Sequence, residues 1–237
     1  MSPLAYALWL AHQPARAEVL QGLFSPMTGE IRLNAEGLAA MGWPTFDGSV
    51  KLDTVRRLLA GGYGEDRAVY GSELFSPKGE EPRTVHLGLD IFAPAGAQVF
   101  APLAGRVHSF QNNAGLGNYG PTIILEHDAG AASAVHTLYG HLSRQSLVGL
   151  SVGRGFAAGE PIGRLGPPPE NGDWPPHLHV QVVLDIKDAW GDFPGACRRS
   201  EQGRWLAICP DPRPLLGLAG EPFLKAANEA GASKISC

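Results

Sequence analysis

The sequence predicts a mainly β protein built on an antiparallel sheet, with a small helical segment at its N-terminus. The 237 residues include 31 glycines and 20 prolines, a proportion typical of a turn-rich, strand-rich globule. After Phe75 the chain consists of short aliphatic and β-branched runs broken by Gly and Pro, such as "TVHLGLDIFAP" and "PTIILEH". Long helical crossovers between these runs are missing, so antiparallel pairing is expected.

The first 72 residues have a helical pattern and are predicted to form an appendage, while residues 73–237 are predicted to form the β domain. Ser2 and Pro3 are typical of an N-cap and a first helical residue. Asn34 is a suitable cap for a second helix through Met41, which Gly42 would end. Two short helices are therefore expected in the first 42 residues.

A third helix is predicted ahead of Gly61-Gly62, with Asp53 or Ser49 as its cap. Its apolar face consists of Leu52, Val55, Leu58 and Leu59. The helical segment carries no cluster of titratable residues, so we expect it to pack beside the β domain. Its position ahead of that domain also raises the hypothesis that it lies across the groove of the domain.

Charge and hydropathy exclude two classes of partner. The formal net charge is -4 and no Lys/Arg run occurs, so a nucleic-acid partner is not expected. No stretch approaches the ~20 apolar residues of a membrane span. The oligomeric state is not predicted by any pattern in the sequence.

The cysteines indicate the compartment. Cys197, Cys209 and Cys237 are odd in number and widely spaced, which argues against a disulfide framework and favours a reducing compartment. We therefore expect a cytoplasmic protein. The alternative is periplasmic export, if residues 1–17 act as a signal that ends in the A-x-A-like "ARA".

The stretch "WPPHLHVQV" places two histidines one residue apart at the start of an apolar run. Side chains alternate faces along a strand, so His177, His179 and Gln181 share one face while the aliphatic residues face the core. The two histidines then lie roughly 6.6 Å apart, at ~3.3 Å per residue. A shared metal site and an ordinary solvent-facing strand both explain this pattern.

A second strand, "VHLGLDI", presents His86 and Asp90 on one face. In an extended strand these residues would lie roughly 13 Å apart, too far to share a zinc ion whose ligand bonds are ~2 Å. A shared metal therefore requires a bend, and Gly88 lies where a bend costs least. A surface histidine and a turn-facing aspartate explain this stretch equally well.

A third stretch, "TLYGHLS", places His141 at the end of a β-type run. A lone histidine at a strand end is usually structural. Beside a metal with three protein ligands, however, a neutral imidazole can position or deprotonate a bound water.

In the order H-x-x-x-D, Y-x-H-L-S and H-L-H, the three stretches resemble the M23 family of lysostaphin-like zinc metallopeptidases, which cut peptidoglycan. The resemblance covers roughly residues 85–184 and includes "FAPAGAQVFAPLAGRV" and "GNYGPTIILEH". It implies an antiparallel fold of the barrel-sandwich, lysostaphin-like type with the site in a groove on the sheet. It also implies hydrolysis of a peptide or amide bond in peptidoglycan cross-links or a small peptide.

The resemblance assigns roles to five residues. His86, Asp90 and His179 are the implied zinc ligands, and His141 and His177 are the implied catalytic pair beside the zinc-bound water. One of the pair would take the proton from that water, but the resemblance does not assign which of the two it is. The remaining histidines are expected to be structural or exposed: His12, His108, His127 and His136.

The chain departs from the family pattern ahead of H-L-H, where "PPPENGDWPP" puts Trp174 and Pro175 in place of small residues. This departure predicts a reshaped groove wall. The stretches "EDRAVYGSELFSP", "GDWPPHLHVQV", "GDFPGAC" and "ICPDPRPLL" resemble the M23-type domain of multidomain proteins that also carry phosphotransferase and class III aminotransferase domains.

Two other functions remain possible from the sequence. One is a catalytically silent M23-like domain that binds or regulates a partner, which the complete set of five site residues disfavours. The other is a biotinyl or lipoyl carrier domain, which phrases such as "APLAGRV" resemble. A carrier needs a lysine at a hairpin tip, and no lysine lies between Lys78 and Lys187.

Overall fold

The computed structural model describes residues 1–24, 28–43, 46, 50, 52, 58–70, 72–130 and 133–218. Its helices are α1 (Pro3–Ala11), α2 (Ala35–Met41) and α3 (Gln202–Ile208), with 3-10 turns at Arg144–Leu147 and Arg199–Glu201. The first six strands are β1 (Gly29–Glu30), β2 (Leu59–Gly61), β3 (Arg83–His86), β4 (Leu89–Phe92), β5 (Gln98–Phe100) and β6 (Gly105–Asn113). The others are β7 (Gly120–Asp128), β8 (Ala134–Gly140), β9 (Gly155–Phe156), β10 (Pro161–Arg164), β11 (His177–Val183) and β12 (Ala196–Arg198).

One large sheet organises the molecule. Its strand order is β1-β2-β4-β11-β8-β7-β6-β9, and every neighbouring pair is antiparallel except β1 with β2. Two small antiparallel sheets, β10-β5 and β12-β3, flank it. The predicted mainly β, antiparallel fold is confirmed.

The main core lies on one face of the large sheet. Leu178, Val180 and Val182 of β11 are fully buried in it, as the alternation predicts. The opposite face holds His177 and His179 together with two smaller apolar clusters. The histidines of β11 therefore lie on one face of the sheet, while the aliphatic residues between them hold the strand to the core on the other face.

The first two predicted helices are present. Ser2 Oγ accepts a hydrogen bond from the amide of Ala5 at the start of α1. Asn34 caps α2 by accepting from the amide of Gly37. The helix ends at Gly42, whose φ of 68° lies in the left-handed region that glycine adopts readily.

The predicted third helix is wrong at its C-terminal end, where residues 59–61 form β2 and pair with β4. Residues 53–57 of that prediction lie outside the described residues. The pairing satisfies backbone groups along the edge of β4, and Gly61 lets β2 approach β1 closely. A Cβ atom at Gly61 would lie 2.0 Å from the carbonyl oxygen of Ile31.

The N-terminal segment shares the sheet and the core of the rest of the chain. Tyr6 and Leu10 of α1 are buried in the main core, and β2 is a strand of the large sheet. The domain boundary at residue 72 stays a prediction. Among the described residues, no helix combines the length and hydropathy needed to cross a bilayer.

Cys197 and Cys209 are both free and buried, as expected without a disulfide framework, whereas Cys237 lies outside the described residues. Their burial raises the pKa of each thiol, to about 11 for Cys197 and about 12 for Cys209.

His136 of β8 is buried on the face that carries the site, but away from it. Its ring packs edge-on against the ring of His108 at 4.9 Å, and its Nε2 lies 3.7 Å from a carboxylate oxygen of Glu126. Burial, reinforced by His108, lowers the pKa of His136 to about 4, while Glu126 acts in the opposite direction. The folded protein therefore holds this imidazole neutral.

We expect His136 to make the fold sensitive to acid. Below pH 6.5 the unfolded chain binds a proton at this residue that the folded chain binds only near pH 4, so stability falls as the pH falls through this interval. The contribution is at most about 3 kcal/mol, at 1.36 kcal/mol per pKa unit. Urea unfolding as a function of pH measures it.

The matched comparison is His136→Gln with His12→Gln, which changes an exposed histidine. His136→Gln should flatten the pH dependence of the free energy of unfolding, and His12→Gln should leave it unchanged. An equal pH dependence in wild type and His136→Gln contradicts the prediction.

Candidate functional site

The two histidines of β11 lie between strands that supply the other predicted residues. His179 pairs with Asp90 of β4 on one side and with Gly140 of β8 on the other. His141 follows Gly140 directly. The central position of β11 therefore brings β4 and the end of β8 to one place.

Gly88 marks a bend between two strands. His86 ends β3, which pairs with β12, whereas Leu89 begins β4, which pairs with β11. The chain changes sheets at residues 87–88, so His86 turns back toward Asp90. The bend predicted at Gly88 is confirmed.

The bend brings three donor atoms together. His86 Nε2 lies 2.9 Å from His179 Nδ1 and 3.4 Å from Asp90 Oδ1, and His179 Nδ1 lies 3.0 Å from Asp90 Oδ1. Ligands of a tetrahedral zinc ion at 2.0–2.1 Å are about 3.3 Å apart. All three residues are buried, and the donor set fits zinc in both chemistry and spacing.

Hydrogen bonds on the far side of each imidazole fix its tautomer. His86 Nδ1 donates to the carbonyl oxygen of Gly62 at 2.8 Å, which leaves Nε2 unprotonated. His179 Nε2 donates to Gln181 Oε1 at 3.0 Å, which leaves Nδ1 unprotonated. The Gln181 amide in turn donates to the carbonyl oxygen of Pro194. Both lone pairs therefore point toward Asp90.

Two further histidines have the same arrangement. His141 Nδ1 donates to the carbonyl oxygen of Asn171 at 2.8 Å, and His177 Nδ1 donates to that of Pro175 at 2.7 Å. Each Nε2 is left as an acceptor. The two ring centroids are 4.2 Å apart, and His177 Nε2 lies 3.8 Å from Asp90 Oδ2. The predicted catalytic pair is thus beside the predicted ligands.

Burial keeps the imidazoles of His86, His141 and His177 neutral. It lowers the pKa of His86 to about 3, with the Arg67 charge acting in the same direction. Burial also lowers the pKa of His177 and holds that of His141 well below its usual range. Neutral imidazoles are the form that can bind a cation or accept a proton.

His141 occupies an unusual backbone conformation. Its φ is 61°, in the left-handed region that few residues other than glycine adopt. The amide of His141 donates to the carbonyl oxygen of Tyr119, and its own carbonyl oxygen accepts from Gly166. These bonds hold the residue in a conformation of the kind that clusters at functional sites.

Arg67 was not predicted as a site residue. Its guanidinium is buried and donates to Asp90 Oδ2 at 2.5 Å, and it also bonds Glu65 and the Tyr70 hydroxyl. Burial alone would raise the pKa of Asp90, but the Arg67 charge reverses this and holds it well below its usual range. The sequence gives no signal for this pair, because the partners lie 23 residues apart and on different elements.

Tyr119 is a second residue that the sequence did not indicate. Its hydroxyl lies 3.3 Å from His179 Nε2, and its ring packs against His141 at 5.6 Å. Gly195 provides the space, because a Cβ atom there would lie 1.9 Å from the hydroxyl. The sequence did indicate the position of Gln181, because it continues the alternation of His177 and His179 on the same strand face.

The site opens into a cleft of about 840 Å³, including its part open to solvent. Asp90, His141, His177 and His179 lie in its lining. Seven aromatic residues also line it: Phe46, Tyr70, Phe75, Phe92, Tyr119, Trp174 and Phe193. Trp174 forms part of one wall, as its place ahead of H-L-H predicts.

The histidines outside the site differ in their surroundings. His12 is exposed, whereas His127 is buried and hydrogen-bonded to the carbonyl oxygen of Ala104 and to Thr137 Oγ1. His108 and His136 form a second group with Glu126 in which one donor atom from each lies within 4.8 Å of the others. None of the four lines the cleft.

We expect Gly88→Ala to disturb the ligand geometry. The new Cβ would lie 2.5 Å from His179 Cε1 and 2.8 Å from the carbonyl oxygen of Val180, so the ring must move. Overpacking of this kind costs about 1–3 kcal/mol, and zinc affinity should fall with it. Urea unfolding and zinc competition with a chelator measure the two effects. Gly155→Ala, which meets no atom within 4 Å, is the control; equal zinc affinity in both variants contradicts the prediction.

Arg67→Met tests the buried ion pair. Loss of the cation leaves the Asp90 carboxylate buried and uncompensated, so the metal-free protein should lose about 3–5 kcal/mol of stability. Urea unfolding in the presence of a chelator measures the loss. Arg32→Met removes an exposed arginine from an ion pair and should cost less than about 1 kcal/mol. Similar losses in the two variants would contradict the assigned role of Arg67.

Solved structures of two bacterial proteins are similar to parts of the chain. The catalytic domain of lysostaphin from Staphylococcus simulans is 24% identical, covers 67% of this chain and 91% of that chain, and has a TM-score of 0.43. A zinc containing peptidase from Vibrio cholerae is 25% identical, covers 47% of this chain and 32% of that chain, and has a TM-score of 0.36. This chain thus spans about a third of the Vibrio protein.

No curated protein matches the chain. The resemblance to multidomain phosphotransferase and aminotransferase proteins rests on the sequence stretches alone and stays a prediction. A family model does match: residues 84–189 match Peptidase family M23. This region contains all five residues that the sequence predicts for the site, so the part of the chain that carries them is similar to an M23 peptidase domain.

Proposed function

We propose that the protein is a zinc-dependent metallopeptidase that hydrolyses a peptide or amide bond. The observation that carries the proposal is the convergence of three deprotonated donors, His86 Nε2, Asp90 Oδ1 and His179 Nδ1, in a buried group beside an open cleft. The match of residues 84–189 to Peptidase family M23 supports it.

His86, Asp90 and His179 would hold the metal. Two imidazoles and one carboxylate leave a fourth tetrahedral position open, which is the pattern of catalytic rather than structural zinc sites. When bound, zinc supplies a Lewis acid for the scissile carbonyl and lowers the pKa of water toward 7. The hydrogen bonds that His86 and His179 donate to Gly62 and Gln181 orient the ligands before any metal arrives.

His141 and His177 would move the proton. Each has its Nδ1 proton engaged by a backbone carbonyl, so each Nε2 can accept the proton of the attacking water. A protonated imidazole at either position can then donate to the departing amine. The Asp90 carboxylate, 3.8 Å from His177 Nε2, would stabilise that protonated form.

The substrate class follows from the cleft and the family match. We propose a peptide or a peptidoglycan-derived fragment, which would lie along the cleft with its scissile carbonyl near His177 and His179. Tyr119 also lines the cleft, with its hydroxyl beside the outward-facing Nε2 of His179 at 3.3 Å.

Metal content and turnover together test the proposal. Wild type purified without added metal should contain near-stoichiometric zinc by elemental analysis, and His179→Ala should lose it. His141→Ala should keep the zinc and lose activity by about 10²–10⁴-fold, the usual contribution of a general acid or base. Activity is measured on peptides, peptidoglycan fragments and small amides.

His12→Ala, which changes an exposed histidine, is the control and should keep both zinc and activity. Absence of zinc from wild type, even after zinc is supplied, overturns the proposal. Zinc binding without hydrolysis of any substrate class would instead favour a catalytically silent M23-like domain that binds or regulates a partner.

A further inference from the structure

The cleft beside the candidate metal centre has an aromatic wall. Tyr70 stacks on Phe75 with ring centroids 4.2 Å apart, and Trp174 meets Tyr70 edge-on at 6.3 Å. The Tyr70 ring also lies 6.3 Å from the ring of His86. The wall therefore begins at the predicted metal ligands and extends outward from them.

A second aromatic cluster, which contains Phe46 and Phe92, lies beside His177 and packs against Trp174. Phe92 stacks on His177 at 4.8 Å, and Phe46 packs edge-on against Phe92 at 5.8 Å. Both rings line the cleft, as does Leu33. The aromatic surface of the cleft thus continues from the wall to His177.

Part of this apolar surface stays accessible. Trp174 and Phe75 are partly exposed, and Leu74, which also lines the cleft, is 38% exposed. Accessible apolar area of this kind favours a ligand that removes it from water, at about 25 cal/mol per Å². Aromatic faces add a preference for another aromatic ring in edge or offset contact.

The charged groups near the wall do not remove the preference for an aromatic ligand. The Arg83 guanidinium is 5.8 Å from the centre of the Phe75 ring, and it contacts the carbonyl oxygen of Leu74. Asp192 lines the cleft and accepts a hydrogen bond from the amide of Phe193. Both charged groups thus have protein partners, while the exposed parts of Leu74, Phe75 and Trp174 remain available to a ligand.

We propose that the aromatic wall formed by Tyr70, Phe75 and Trp174 is a subsite for an aromatic side chain of the peptide substrate, adjacent to the bond that is cleaved. This inference rests on the proposed peptidase function and adds the side-chain class that the site selects. A substrate with glycine at this position would leave the wall exposed to water.

Binding is tested separately from cleavage. Metal-free wild type, which retains the wall, is titrated with two capped pentapeptides that differ only in a central Phe or Gly. The Phe peptide should bind about tenfold or more tightly, as burial of one large apolar side chain predicts. Equal affinity for the two peptides overturns the inference.

Substitutions in the cleft test whether the preference for the Phe peptide arises at the aromatic wall. Trp174→Ser and Leu74→Ser should each reduce the Phe-to-Gly affinity ratio, and the two positions protect the test against a folding defect in one of them. Trp190→Ser removes a tryptophan that is 57% exposed and lies outside the cleft, so the ratio should not change. A ratio that is lost only in Trp190→Ser, or is unchanged in both cleft variants, also overturns the inference.

Cleavage of the same peptides by zinc-loaded protein separates the two proposals. Faster cleavage of the Phe peptide supports both the peptidase function and the aromatic subsite. Cleavage of both peptides at equal rates contradicts the subsite and leaves the peptidase intact. Selective binding of the Phe peptide with no cleavage of any peptide contradicts the peptidase and leaves an aromatic-selective peptide site.

Discussion

The site depends on hydrogen bonds that point away from it. Three histidines donate Nδ1–H to the backbone carbonyl oxygens of Gly62, Asn171 and Pro175, and His179 donates Nε2–H to Gln181. Each bond fixes one tautomer, so the opposite nitrogen of every ring is an unprotonated acceptor. Backbone carbonyls set by the strands and turns thus decide which ring atoms face the centre.

Charge compensation is the second constraint. A buried carboxylate costs free energy unless it is paired, and Arg67 supplies the pair for Asp90 without using the oxygen nearest to His86 and His179. The arginine comes from the N-terminal segment, whose strand β2 also pairs with β4. This segment is therefore part of the support of the site, and its residues Arg67, Val69 and Tyr70 contribute to the cleft wall as well.

The local sequence pattern was sufficient to predict some features of the fold and the site, but not others. The alternation in "HLHVQV" predicted which side chains of β11 face the core, and Gly88 predicted the bend that brings His86 to Asp90. Arg67 and Tyr119 were not predictable, because their partners come from strands that only the folded sheet places beside them. The helix expected through Leu59 gave way to a strand, since pairing with the edge of β4 outweighs local helical spacing.

The most direct test of this account is a crystal structure of the zinc-loaded protein with anomalous data collected at the zinc edge. One zinc peak is expected about 2 Å from His86 Nε2, Asp90 Oδ1 and His179 Nδ1, with the outward hydrogen bonds to Gly62 and Gln181 intact. Zinc bound through Nε2 of His179, or bound only away from these three residues, would contradict it.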